Sequence, residues 1–208
     1  MNPIPPEAFF GILAELQRKP LVVNNYRIKT GAGRSQAFGV VNKRCQPIDY
    51  SRQCWLRPYL YYLLLEFGKK YVTDISWNAI TVNQNYSAGP HYDRGNDGPS
   101  FLVAAGDYEG GALKILEGDL SGCHDIKYRP LVTDFSKCLH AVEPWTGNRV
   151  SLVFYKLRNT PPDLPPPSVI FKDGEYRFKR GNKIINGLPH PLRKRPVVAI
   201  EDLEIDFC

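Results

Sequence analysis

The sequence lacks any Cys-x-x-Cys pair. Its five cysteines, Cys45, Cys54, Cys123, Cys138 and Cys208, are an odd number at irregular spacing. That argues against a zinc module or a disulfide framework and for a reducing compartment, cytoplasm or nucleus. No stretch approaches the roughly eighteen apolar residues of a membrane span. Leu60 to Phe67 is the longest greasy patch, so no membrane association is expected. The opening Met1-Asn2-Pro3-Ile4-Pro5-Pro6 has no basic region followed by an apolar core, and no secretory leader is expected. What is present is a chain of 208 residues, 43% hydrophobic, long enough to bury one substantial core. The formal net charge of +6 is compatible with a polyanionic partner without requiring one.

Two N-terminal helices are expected. Over Glu7 to Arg18, Phe9, Ile12, Leu13 and Leu16 recur at helical spacing, with Glu7 at the positive end of the dipole and Arg18 at the negative end. Over Ser51 to Lys70, Trp55, Tyr59, Tyr62, Leu63 and Phe67 fall on one face, and Pro58 either kinks this helix or starts it. Val22 to Ile28 and Gln36 to Val41 read as strands. Arg27, Lys29 and Arg34 are candidates for a substrate groove or plain surface charge. Phe101 to Tyr108 and Ala112 to Leu116 read as two strands around the glycines at 110 and 111.

The chemistry concentrates between His91 and Ser151. His91 and Asp93 are two apart, so in an extended segment they point the same way and can share one ion. A third ligand must come from a distant strand. His140 follows an apolar edge and precedes a Pro-x-x-Gly-x-Arg turn, whereas His124 lies in the polar loop Ser121 to Asp125, so His140 is preferred. Two imidazoles and one carboxylate on one face leave open positions for oxygen and an organic co-substrate, the pattern of ferrous oxygenases. Arg149 and Ser151 also share a face. A guanidinium grips a carboxylate through two parallel hydrogen bonds and a neighbouring hydroxyl adds a third, which suits the distal carboxylate of 2-oxoglutarate. Asp107 is a candidate either to orient a ligating histidine or to bond the turn.

The whole string resembles the 2-oxoglutarate- and Fe(II)-dependent dioxygenase superfamily over residues 75–158, with a fainter echo at Gly33 to Arg44. Within it, Asn83-Gln84-Asn85-Tyr86, Pro90-His91-Tyr92-Asp93-Arg94-Gly95-Asn96 and Gly106-Asp107-Tyr108-Glu109-Gly110-Gly111 look like the branch holding the ten-eleven-translocation and J-binding oxygenases. The resemblance implies a mainly β, α+β fold: a double-stranded β-helix (jelly-roll or cupin-like) core with covering N-terminal helices. It implies Fe(II), 2-oxoglutarate and O2, with ascorbate a candidate reductant. Asn85 and Tyr86, just before His-x-Asp, become candidates for the keto acid, and Arg34, Arg94 and Asn96 for substrate. The substrate implied is a 5-methylpyrimidine base in nucleic acid. A protein side-chain or small-molecule hydroxylase is the alternative, and a non-catalytic binding module a third. The chain has no counterpart of the cysteine-rich insert of the animal proteins, so a nucleic-acid grip would fall to its basic residues.

Three regions are expected: 1–74 supporting the barrel, 75–159 the catalytic core, and 160–208 a proline-rich connection with a basic extension packed on the core. Thr160 to Pro167 is stiff and cannot join a central strand. Lys172 to Arg195 carries eight Lys or Arg against Asp173 and Glu175. Val169 to Phe178 reads as a hairpin around Asp173-Gly174, and Phe171, Tyr176 and Phe178 either stack bases or pack.

Overall fold

A computed structural model describes residues 2–23, 31–42, 46–181 and 183–185. Its centre is an antiparallel major sheet. β1 (Gly31–Val41), β2 (Asp49–Tyr50), β3 (Ala79–Ala88), β4 (Ser100–Gly110), β7 (Leu131–Thr133) and β9 (Trp145–Tyr155) pair in the order β2-β1-β3-β9-β4-β7. A minor sheet of β5 (Leu113–Ile115), β6 (Gly122–His124) and β8 (His140–Val142) has the order β6-β5-β8. Together they make the expected jelly-roll, double-stranded β-helix core.

The alternation of β3 and β9 assigns the two faces of the major sheet. Ile80 and Val82 with Leu152 and Phe154 point to the main hydrophobic cluster, where the helices lie. Thr81, Asn83, Ser151 and Val153 point to a cavity bounded on the far side by Leu113, His140 and Val142 of the minor sheet. The core is thus two-layered: helices cover one face, and chemistry occupies the space between sheets.

A 3-10 turn at Pro6–Phe9 runs into α1 (Phe10–Arg18), which buries Ile12 and Leu16. The expected helix over Ser51 to Lys70 is two helices, α2 (Gln53–Leu56) and α3 (Pro58–Tyr71). The break is at Arg57, whose φ of −137° and ψ of 57° lie outside the helical region, because the ring of Pro58 disfavours a helical residue before it. Pro58 then starts α3, where no amide hydrogen is needed.

β4 and β5 do not pair with one another. β4 lies between β7 and β9, and β5 between β6 and β8, so Gly110 and Gly111 carry the chain from one sheet to the other. The expected strand from Val22 to Ile28 falls largely outside the described residues; Val23 forms an isolated bridge to Arg34. Beyond the core, β10 (Pro167–Lys172) and β11 (Glu175–Arg180) form the expected hairpin, with β12 (Lys183–Ile185) beside β11. Asp173 and Gly174, at φ 53° and 78°, both take the left-handed backbone conformation of a two-residue turn, which matches the right-handed twist of the two strands. Phe178 is fully buried against Tyr50, Trp55 and Tyr61, and Tyr176 packs on Tyr59 and Tyr62. Only Phe171 of the three aromatics is exposed.

Candidate active site

His91 and His140 face one another across an isolated antiparallel bridge, each backbone N–H donating to the other's carbonyl at 3.0 Å. Two residues on, the Asp93 amide donates to Phe135 O at 3.0 Å, so the His-x-Asp segment is pinned at both ends of its alternation. The carboxylate of Asp93 approaches His91 Nε2 at 3.6 Å. Ligand atoms of His91, Asp93 and His140 all lie within 4.8 Å of one another. An ion placed among them could take one ligand atom from each residue.

The protonation of both rings follows from their neighbours. His91 Nδ1 lies 2.7 Å from Gly89 O, and His140 Nδ1 lies 2.9 Å from Cys138 O. A carbonyl oxygen only accepts, so each Nδ1 carries the hydrogen and each Nε2 presents its lone pair to the shared space. Burial, chiefly, lowers the His140 pKa, which favours the neutral ligating form. Phe135 packs its ring 4.8 Å from the His140 ring and fixes its plane. The donor set of two imidazoles and one carboxylate fits Fe(II).

A cavity of about 100 Å³ opens beside the triad, and Arg149 and Ser151 line the same cavity. Arg149 is 3% exposed, and among the described residues no carboxylate pairs with its guanidinium. Its Nε reaches no hydrogen-bond partner, and its Cζ lies 5.6 Å from the Tyr108 ring and 5.7 Å from the Trp145 ring. A buried cation held between two aromatic faces has lost its water without gaining an anion. Burial accordingly lowers the Arg149 pKa. Ser151 Oγ accepts from Asn83 Nδ2 at 3.3 Å, which leaves its own hydrogen free to donate. Arg149 could offer two donors and Ser151 one to a carboxylate in this cavity.

No protein-family model matches the chain, and no curated protein matches it in sequence. Solved structures do. NgTET1 in complex with 5mC DNA superposes with a TM-score of 0.51 at 13% identity, over 74% of this chain and 69% of that one. The chain has the fold of the 2-oxoglutarate- and Fe(II)-dependent oxygenases. A Pseudomonas putida prolyl-4-hydroxylase gives a TM-score of 0.47 at 15% identity, over 74% of this chain and 89% of that one. An oxidoreductase of the 2OG-Fe(II) oxygenase family from Burkholderia pseudomallei gives 0.46 at 15% identity, over 69% and 74%.

In this oxygenase fold the other expected residues divide. Tyr86 lines the cavity, but Asn85 is exposed. Asn85 instead ties β3 to β9: its Oδ1 accepts the Arg149 amide at 2.7 Å and its Nδ2 donates to Asn148 Oδ1 at 3.2 Å. A bulge separates the two. The β1–β3 register shifts between Ala32 and Arg34, and Asn85 takes φ 49°, so the alternation changes phase and Tyr86 joins Thr81 and Asn83 on the cavity face. Gly33 makes room for this, since a Cβ there would lie 2.1 Å from Asn85 O.

Asn96 is buried at the cavity edge and donates to Ser100 Oγ at 3.0 Å. Arg94 lies over the Tyr92 ring, outside the cavity lining, and Arg34 sits half-buried on β1, also outside it. Arg27 and Lys29 lie outside the described residues. His124 bonds Leu120 O through Nε2, away from the triad, and Asp107 is exposed on β4 opposite Asn148. Both histidines are oriented by backbone carbonyls, the task considered for Asp107. Asn83, Tyr108 and Trp145 were not singled out for the site by sequence. Asn83 carried a signal, standing on the strand face opposite Ile80 and Val82; Tyr108 and Trp145 acquire their place only when β4 and β9 pair.

Proposed function

We propose that the chain is an Fe(II)- and 2-oxoglutarate-dependent dioxygenase that oxidises the methyl group of a 5-methylpyrimidine base in nucleic acid. The observation that carries the oxygenase reading is one cavity holding both the His91, Asp93, His140 cluster and the unpaired, buried Arg149. Support for the base comes from the resemblance to the ten-eleven-translocation branch and from the shared fold with NgTET1, which was solved with 5mC DNA.

Iron and 2-oxoglutarate, when bound, supply oxidation of a C–H bond by O2 coupled to decarboxylation of the keto acid to succinate. The chain's residues set the geometry for it. His91, Asp93 and His140 hold the metal, and the carbonyls of Gly89 and Cys138 keep the imidazoles turned with Nε2 inward. Arg149 and Ser151 would bind the distal carboxylate of the keto acid within the same cavity. Asn83 orients the Ser151 hydroxyl, and Tyr86 borders the same space. Leu102, Leu113, Phe135 and Val153 give the cavity apolar walls that exclude water. A base in a duplex would have to be flipped out to reach it.

The test is succinate formation by purified protein with Fe(II) and 2-oxoglutarate, with and without DNA containing 5-methylcytosine or thymine, beside Arg149→Ala. Succinate that rises with DNA and vanishes in the variant is expected. Succinate indifferent to DNA would move the substrate to a protein side chain or a small molecule. No succinate under any condition would overturn the enzyme assignment and leave a binding module.

A further inference from the structure

The two ligating imidazoles are each turned by a carbonyl at Nδ1, but Asp93 has no such guide. Among the described residues nothing donates a hydrogen bond to its carboxylate, and His91 Nε2 stands 3.6 Å from it. The place of that carboxylate is therefore set through the backbone. On one side the Asp93 amide donates to Phe135 O; on the other Asp93 O accepts the Asn96 amide at 2.9 Å, which closes a four-residue turn. Whatever holds Asn96 holds Asp93.

Asn96 is held from three directions. Its Nδ2 donates at 3.0 Å to Oγ of Ser100, a fully buried residue. Its carbonyl accepts Nη2 of Arg158 at 3.1 Å, a charge-assisted bond. It also stands opposite Leu157 in an isolated antiparallel bridge, flanked by Asp97 N donating to Lys156 O at 2.8 Å and Arg158 N donating to Gly95 O at 2.9 Å. The turn after the metal ligands is thus paired to the segment that follows β9.

That segment is itself fixed. Asn78, just before β3, accepts the Leu157 amide on Oδ1 at 2.8 Å and donates from Nδ2 to Thr160 Oγ1 at 3.0 Å. Thr160 Oγ1 donates in turn to Leu157 O at 2.7 Å, and the Leu157 side chain is buried in the main cluster. A continuous path runs from the start of β3 through Leu157, Arg158 and Asn96 to Asp93. Lys156 and Asp97 also pair, at 2.9 Å, but their side chains are 47% and 50% exposed, and solvent screens such a pair.

We propose that Asn96 and Arg158 are positioning residues for the Asp93 carboxylate, so that the segment after β9 sets the carboxylate arm of the metal site. The inference rests on the metal reading given above. Asn96 and Arg158 serve it through the backbone of the turn, without touching the ion, as the carbonyls of Gly89 and Cys138 serve the imidazoles.

Titration of the full chain with Co(II), without co-substrate, followed by calorimetry and by the visible absorption of the bound ion, tests the assignment. Arg158 is exposed, so it can be changed without emptying the core. Arg158→Ala is expected to weaken Co(II) binding about tenfold, and Arg158→Lys, which keeps a cationic donor, to weaken it less. Asn96→Ala is expected to weaken it at least as much as Arg158→Ala, and Lys156→Ala to leave it within about twofold. In an Asp93→Ala background, which keeps both imidazoles, Arg158→Ala is expected to have no further effect, whereas a general loosening of the fold would weaken both backgrounds alike. Co(II) affinity untouched by Arg158→Ala and Asn96→Ala, or weakened equally with and without Asp93, overturns the inference and leaves the metal site standing. Absence of Co(II) binding by the unsubstituted protein overturns the metal reading and the inference with it.

Discussion

Asn85 accepts the backbone N–H of Arg149 at 2.7 Å while standing in the left-handed region at φ 49°. The residue that breaks the alternation of β3 is therefore the one that registers β9 where the guanidinium leaves it. The bulge and the placement of Arg149 are one construction: phase change on one strand, anchored cation on the next.

Replacing Asn85 separates the two contributions. Asn85→Ala loses the bonds to Arg149 and Asn148 and forces a Cβ residue without a compensating side chain into the left-handed region. About 2 kcal/mol of stability should be lost. Asn85→Gly loses the bonds but not the backbone fit, and should cost about half as much. Urea midpoints measure both. Equal costs would show that backbone conformation contributes nothing.

Gly111 makes the slot for the Arg149 side chain. At φ 65°, a Cβ on it would lie 2.9 Å from Arg149 Cδ and 3.0 Å from Nε. Gly111→Ala should push the guanidinium off its place between Tyr108 and Trp145. With Mn(II) in the metal site, calorimetry should find 2-oxoglutarate binding weakened at least about tenfold and Mn(II) binding unchanged. Unchanged co-substrate affinity would remove Arg149 from that role.

The clustering of His91, Asp93 and His140 was legible because residue type and short spacing announce it: His91 and Asp93 stand two apart, and His140 precedes a strand that carries Arg149 and Ser151. The choice of His140 over His124 rested on the strand after it, and the structure brings His140 to the cluster. Strand pairing was less legible. Nothing local says that β4 and β5, separated by Gly111 and Ala112, belong to different sheets, because their partners are distant in sequence. The exposure of Asn85 beside a cavity-lining Tyr86 has the same origin: alternation holds only while a strand is unbroken, and the bulge depends on Gly33 across the ladder.

Cys54 gives a pH dependence with a defined sign. It is fully buried, accepts the Gly39 amide at 3.1 Å, and burial pushes its pKa up to about 12. Between an unfolded thiol value near 9 and that raised value, the unfolded chain releases a proton that the native chain keeps. Stability should therefore fall as pH rises above about 9, by up to about 1.4 kcal/mol per pH unit from this group. Cys54→Ala should flatten the slope between pH ~9 and ~10, below the range where tyrosines ionise. In the native protein at pH ~8.5, iodoacetamide should label the exposed Cys123 and spare Cys54, as read by peptide mass mapping.

The β10–β11 hairpin is joined to the helices by packing more than by charge. Phe178 is fully buried, with ring centroids 5.5 Å from Tyr50 and 6.0 Å from both Trp55 and Tyr61. The ion pair nearby, Arg180 to Asp49 at 2.8 Å, has side chains 41% and 42% exposed. Solvent screens such a pair, so Arg180→Ala should cost under about 1 kcal/mol. Phe178→Ala empties a core position and should cost about 3–5 kcal/mol, with one cooperative urea transition for the whole chain. If the two substitutions cost the same, or if Phe178→Ala splits the transition in two, the hairpin folds as a separate unit and region 160–208 is an appendage. A single transition shifted by the larger amount makes the hairpin part of the core that carries the metal site.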